Sequence, residues 1–162
     1  GVLVNGQNID VEKIIVCVGR KPNISSGELK KLGVEFNNKG ININKKMLTN
    51  ISNIYAIGDI TGKYELAHVA SKQGEVAAHN IMQHNSEMDY SAIPFCVFTF
   101  PEVSFVGDCS GKSGEFPLRA NAKANCLGDT RGFLKVFEKN GKVAYLKLNA
   151  IPALKLLYSC TV

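Results

Sequence analysis

Two short runs carry residue types that can handle a ligand. Ile54-Tyr55-Ala56-Ile57-Gly58-Asp59 is an apolar stretch closed by a glycine and a carboxylate. Open α/β sheets bind ligands at the carboxyl ends of their strands, and a carboxylate placed there accepts hydrogen bonds from ligand hydroxyls. Gly58 would let a ligand come close to the backbone. The same aspartate also suits a turn or a helix cap, and physics alone leaves both readings open. Further on, Leu66-Ala67-His68 opens a helical pattern. The first amides of a helix have no partner inside it and can meet an electron-rich ligand edge. Gly19-Arg20-Lys21-Pro22-Asn23 forms a rigid turn after another apolar run. There Arg20 supplies charge for a phosphate or ribose, although an ordinary surface turn has the same composition.

Other candidates carry less. Histidine titrates unperturbed near neutral pH, but no Ser, Cys or carboxylate is fixed beside His68 by a motif, so its backbone amide is the better candidate than its ring. His79 and His84 would lie about 140° apart on one continuous helix, a poor geometry for a metal, and read as solvated. The five cysteines stand at 17, 96, 109, 126 and 160, too far apart for a zinc knuckle or for a CxxC or CxxxxC redox pair. Cytosolic free thiols are the plain reading. There is no GxGxxG and no GxxxxGK[ST], so no complete dinucleotide fingerprint or phosphate loop opens in the chain. No catalytic residue and no metal ligand is assigned.

The elements that must position these residues follow from periodicity. Val11 to Val18 ends in a β-branched apolar run, expected as an interior strand of a parallel sheet. Ser26 is expected to cap a short helix over Gly27 to Leu32, with Gly33 as its stop. Val34 to Phe36 and Ile41 to Asn44 read as two short strands about a turn. Ile54 to Ile57 is expected as a second buried strand. Leu66, Val69, Ala70, Gln73, Val76, Ala77, Asn80 and Ile81 share one helical face, and the helix is expected to fade near His84-Asn85. Gly74 inside it costs about 1 kcal/mol against Ala, tolerable where close packing needs it.

After Tyr90 the character changes, and the domain boundary is expected within 85–92. Ile93 to Thr99, Val103 to Val106, Phe116 to Arg119 and two strands around Asn140-Gly141 predict an antiparallel sheet. Asn-Gly between Lys135-Val136-Phe137-Glu138 and Val143-Ala144-Tyr145-Leu146 is the strongest hairpin signal present. Ala120 to Ala124 contains a local turn, and Ala153 to Tyr158 opens a helix after Pro152. Phe98-Thr99-Phe100-Pro101-Glu102 suits an interface or an aromatic core strand equally.

Composition bounds the rest. The 162 residues are 45% hydrophobic and 20% charged, which is globular rather than disordered composition. Nineteen basic and fourteen acidic residues give +5, but the excess is scattered rather than gathered into a stripe, so nucleic acid is not expected as a partner. No stretch reaches eighteen apolar residues, so no membrane span is expected, and the opening Gly1-Val2-Leu3-Val4 does not read as a signal peptide.

At the residues quoted above the chain resembles the C-terminal half of the dihydrolipoamide dehydrogenases, within the flavin-dependent pyridine nucleotide–disulfide oxidoreductases. Gly19-Arg20-Lys21-Pro22-Asn23 is similar to the family's GRxPN crossover from the NAD domain to the FAD domain. Thr49 to Asp59 resembles its second FAD motif, whose last Asp contacts the ribityl chain. Leu66-Ala67-His68 with Gln73-Gly74 resembles the helix that points amides at the flavin. Ile93-Pro94, Phe98 to Glu102, Val106-Gly107, Asn121 to Ala124 and Gly132 to Val136 resemble the interface domain, the last two pointing to the lipoamide branch.

The resemblance implies an α/β and α+β architecture: residues 1–18 end an NAD-binding domain, 19–88 form the C-terminal part of an FAD-binding domain, and 89–162 form an antiparallel dimerisation domain, incomplete at both ends. It implies cofactor contacts from Asp59, Gly58, Leu66, Ala67, His68 and Arg20, with FAD and NAD as cofactors of the parent protein. It further implies a homodimer through 89–162, a lipoamide-bearing acyltransferase of a 2-oxo acid dehydrogenase complex as partner, and a cytoplasmic or mitochondrial-matrix location.

The departures set a second expectation. The family's first FAD fingerprint, NAD fingerprint, CxxxxC pair and His-Glu pair have no counterpart here, and only eight residues join Gly107 to Phe116. The 162 residues alone are therefore expected to be inactive. The alternatives are a noncatalytic homodimerisation module or a degenerate piece of a related disulfide oxidoreductase.

Overall fold

Hydrogen-bonded pairing within the chain, rather than apolar content, decides which segments become strands. The computed structural model describes residues 1–149, and the side chains within them except at 26 and 145–149. The helix expected over Ala153 to Tyr158, and Cys160, lie outside the described residues. The chain divides into two compact units, Gly1–Met88 and Asp89–Val162.

The first unit opens with a hairpin of β1 (Val2–Val4) and β2 (Gln7–Ile9), turned at Asn5-Gly6. The expected strand over Val11 to Val18 is not formed: Ile15 is 86% exposed and Val18 92%. An interior parallel strand needs neighbours on both edges and layers on both faces. The unit's two sheets are two-stranded hairpins and supply neither. Helix α1 (Ser26–Lys31) follows, beginning one residue before the expected start, with Ser25 at its cap position. It ends as expected at Gly33, whose N–H bonds to the Lys30 carbonyl while that of Val34 bonds to the Leu29 carbonyl. These two bonds make a Schellman stop, and the accompanying contact of Val34 with Leu29 seeds the core.

That core gathers Val34, Ile41 and Ala56, with Leu29, Phe36 and Ile54 packed against them. Phe36 and Ile41 face each other across β3 (Phe36–Asn37) and β4 (Gly40–Ile41), an expected hairpin that is shorter than its pattern. The buried strand expected over Ile54 to Ile57 becomes a local return instead. The chain turns back at Asn53 (φ +83°), so Leu48 bridges Tyr55, Thr49 N–H bonds to the Ile54 carbonyl, and Ala56 N–H bonds to that of Met47. With no parallel neighbour within reach, the backbone satisfies itself against the segment just before it. Asn50 pins the return, accepting from Glu35 N–H at 2.8 Å and donating to the Gly33 carbonyl at 2.8 Å.

A single 3-10 turn over Gly58–Thr61 leads to α2 (Ala67–Ile81). Val69, Gln73, Val76 and Ala77 of the expected face are buried, whereas Ile81 is exposed. The helix stops before His84, because Gln83 adopts φ +64° and His84 N–H bonds back to the His79 carbonyl.

Among the described residues the second unit is built on a five-stranded antiparallel sheet. Its strands are β5 (Phe95–Val97), β6 (Glu102–Val106), β7 (Lys112–Pro117), β8 (Gly132–Lys139) and β9 (Lys142–Asn149), in the order β5-β6-β9-β8-β7. Asn140 (φ +53°) and Gly141 (φ +74°) form the turn that a two-residue hairpin demands. Phe95 stacks on its cross-strand partner Phe105 at 4.9 Å. The strand expected over Phe116 to Arg119 begins earlier, at Lys112, and gives way at Leu118 to a 3-10 turn. Its pairing with β8 sets those limits. The short connection from Gly107 is held down by Lys139, whose Nζ meets Asp108 at 2.8 Å and Ser110 Oγ at 2.9 Å. Where a local turn was expected, α3 (Ala122–Cys126) forms, with Asn121 accepting from Ala124 N–H at 3.0 Å.

Candidate functional site

Asp59 sits in the 3-10 turn between the Leu48–Tyr55 return and α2, and its carboxylate is half exposed. The turn is built from inside. Gly58 is buried at φ +72°, and its N–H donates to Gln73 Oε1 on α2 at 2.6 Å. Thr61 Oγ1 donates to the Gly58 carbonyl at 2.8 Å, and Gly62 N–H to that of Asp59 at 3.0 Å. A Cβ on Gly58 would lie 3.4 Å from Ala70 Cβ, at the edge of ordinary contact, so the positive φ rather than the space is what favours glycine here. Its amide is already used by Gln73.

Arg20 comes to the same place from a distant part of the chain. Its Nε donates to Glu65 at 2.8 Å and its Nη2 to the Glu65 carbonyl at 3.3 Å, while Nη1 lies 3.7 Å from Asp59. The cation thus stands between two carboxylates, largely in water, where a pair of this kind contributes at most about 1 kcal/mol. These residues, with Pro22 and Ile60, line a cleft of about 350 Å³. Leu66 is the N-cap residue of α2 in extended geometry, with no side-chain cap. The amides of Ala67 and His68 have no acceptor among the described residues, and both residues are exposed. They begin the helix that carries Gln73, and so belong to the same element that braces the Asp59 turn.

The structure therefore brings Arg20 to Asp59 and builds the turn and the helix start into one unit. Glu65 escaped sequence reasoning: its only signal was an acid beside a helix start, and its partner lies 45 residues away. The Gln73 bond to Gly58 was likewise hidden, since a glutamine on a buried helical face is legible only as a polar group in need of a partner.

Elsewhere the chemistry is plain. A second concavity of about 270 Å³ lies at the far end of α2, where the Asn80 amide is committed to the carbonyls of Val76, Ser86 and Lys46. The His79 and His84 rings meet edge to face at 6.0 Å. Among the described residues no group of three or more His, Cys, Asp or Glu could hold a metal, and no helix is long and apolar enough to cross a membrane. Cys17, Cys96, Cys109 and Cys126 form no disulfide among the described residues; burial, and secondarily the charge of Asp108, push the Cys109 thiol up from the usual range.

Comparison with known proteins gives consistent matches. Residues 2–74 match the family model described as pyridine nucleotide-disulphide oxidoreductase. The dihydrolipoyl dehydrogenase of Chlamydia muridarum is 45% identical over 143 residues, covering 82% of this chain and 31% of that protein. That of Geobacillus stearothermophilus is 40% identical over 144 residues, again 82% and 31%. Among solved structures, LpdA of Mycobacterium tuberculosis superposes with a TM-score of 0.73 at 26% identity, over 85% of this chain and 34% of that one. The HOCl-induced flavoprotein disulfide reductase RclA of Escherichia coli, as its Cu(II) complex, shares the fold with a TM-score of 0.77 at 22% identity, over 88% and 36%. The chain spans about a third of the length of these relatives.

Proposed function

Because residues 2–74 match the pyridine nucleotide-disulphide oxidoreductase model and 82% of the chain aligns with a dihydrolipoyl dehydrogenase, we propose that it supplies one flank of an FAD site in an enzyme that moves electrons from dihydrolipoamide to NAD. The carrying observation is the half-exposed Asp59 carboxylate, fixed by the Gly58–Gln73 bond in a turn braced by α2. Residues 1–18 would end an NAD-binding domain, 19–88 belong to the FAD-binding domain and 89–162 to the dimer interface.

The residues present fit an FAD flank. Asp59 opens onto the cleft and accepts hydrogen bonds from ribityl hydroxyls. The unpartnered amides of Ala67 and His68 donate to a flavin carbonyl, favoured by the positive end of the helix. Arg20 balances Asp59 and Glu65 and ties the 19–23 turn to the helix start. Electron storage between a dithiol and the nicotinamide is the chemistry that FAD supplies. The 162 residues hold no CxxxxC pair to serve as that dithiol, so the chain by itself binds and orients rather than turns over. A lipoamide-bearing acyltransferase is the partner this reading assigns to the whole enzyme.

The test is a chimera joining this chain to the remainder of the Geobacillus stearothermophilus relative. Asp59→Asn should weaken FAD retention by at least tenfold, the worth of a charged hydrogen bond, with an unchanged circular dichroism spectrum. Equal flavin content in the two chimeras would reduce Asp59 to a turn residue and remove the proposal.

A further inference from the structure

We propose that Asn5 is a site of spontaneous deamidation and isomerisation, and that Asn140, in the same dipeptide and the same kind of turn, is shielded by Glu138 and by the sheet around it. The chain has two Asn-Gly steps, Asn5-Gly6 and Asn140-Gly141. Each joins two antiparallel neighbours in a two-residue turn, with φ of +50° and +81° at the first and +53° and +74° at the second. All four residues are exposed. Glycine after asparagine leaves its nitrogen open to the Asn side chain, because no Cβ blocks the approach.

The chemistry needs only water. The glycine amide gives up its proton and its nitrogen bonds to the Asn Cγ. The side-chain nitrogen leaves as ammonia, closing a five-membered succinimide. Water then adds to one of the two ring carbonyls and opens the ring, leaving an aspartyl or an isoaspartyl residue. Nothing is oxidised or reduced. Each product adds one negative charge, and the isoaspartyl form also lengthens the backbone inside the turn.

Two observations separate the sites. Gly141 N–H donates to Glu138 Oε1 at 3.0 Å. A carboxylate in that position disfavours the negative charge that the attacking nitrogen must acquire. Gly6 N–H has no such partner among the described residues. Ring closure also requires the turn to leave its left-handed geometry, which means opening the hairpin end. Asn140 closes two eight-residue strands inside a five-stranded sheet, whereas Asn5 closes two three-residue strands that form a sheet by themselves. A two-stranded hairpin that short is marginal in water and opens cheaply.

The experiment ages the 162-residue chain in mildly alkaline buffer and follows both sites by peptide mapping, with fragmentation that distinguishes aspartyl from isoaspartyl products. Position 5 should convert about tenfold faster than position 140, a spread that ordinary differences in local opening produce. Strong denaturant should largely abolish the difference, and Glu138→Ala should raise the rate at 140 while leaving that at 5 unchanged. Equal native rates, faster conversion at 140, or a difference that persists in denaturant would overturn the proposal.

Discussion

Gln73 is fully buried, and its side-chain carbonyl accepts the hydrogen bond of the Gly58 amide at 2.6 Å. A buried donor without a partner is costly, so Gln73→Leu should destabilise the first unit by about 1–3 kcal/mol, measured by urea unfolding. A change below a few tenths of that would mean water replaces the glutamine at no cost. Asp59, by contrast, is held by backbone bonds of its turn, so its side chain can be changed without disturbing the fold. That difference makes the flavin-retention test of Asp59→Asn readable. The residue types at the site were legible in the sequence, since Gly-Asp after an apolar run and an uncapped helix start each have a local signature. The Arg20–Glu65 pair was not, because 45 residues separate its members and no local pattern links them.

At the scale of elements, α2 tests why small residues lie along its face. A Cβ on Gly74 would meet Ile57 Cδ1 at 3.5 Å, an ordinary contact. Close packing therefore does not require this glycine, and Gly74→Ala should stabilise the helix by up to about 1 kcal/mol, read as a rise in the urea midpoint. Gly62 stands in the opposite case. At φ +63° its Cβ would land on the Lys39 carbonyl oxygen at the β3–β4 turn. The same substitution there should lower the midpoint, because the backbone strain of about 1–2 kcal/mol is joined by a clash with backbone that cannot step aside. If both substitutions moved the midpoint alike, the packing of the Gly58–Thr61 turn between hairpin and helix would be wrong. Helix α2 was legible because its periodicity is local. The strands over 11–18 and 54–57 were misread because a strand is completed by neighbours, and composition does not say which neighbours exist.

For the whole molecule, the surface of the second unit bears on assembly. Phe98 is 72% exposed and Phe100 79%, with Arg131 over the Phe100 ring at 4.9 Å. Exposed aromatic residues beside an arginine have the composition of interface anchors. On the proposed reading the chain self-associates through this unit, so sedimentation should show a concentration-dependent dimer that Phe98→Ser with Phe100→Ser converts to monomer. A monomer at every concentration would remove residues 89–162 as a dimerisation surface.

The sequence by itself determined what depends on near neighbours: the Schellman stop at Gly33, the course of α2, and the Asn140-Gly141 turn that registers β8 on β9. Each is set by the conformational preference of a few consecutive residues. It also carried the family resemblance, since ordered motifs survive as strings of letters. Only the tertiary structure decided that Val11 to Val18 stays unpaired, that Ile54 to Ala56 folds back on Met47 to Thr49, and that Arg20 reaches Glu65 and Asp59. These outcomes depend on which backbone groups and charges find partners across long stretches of chain. Such partners are chosen by the packing of the assembled core rather than by any residue's own preference.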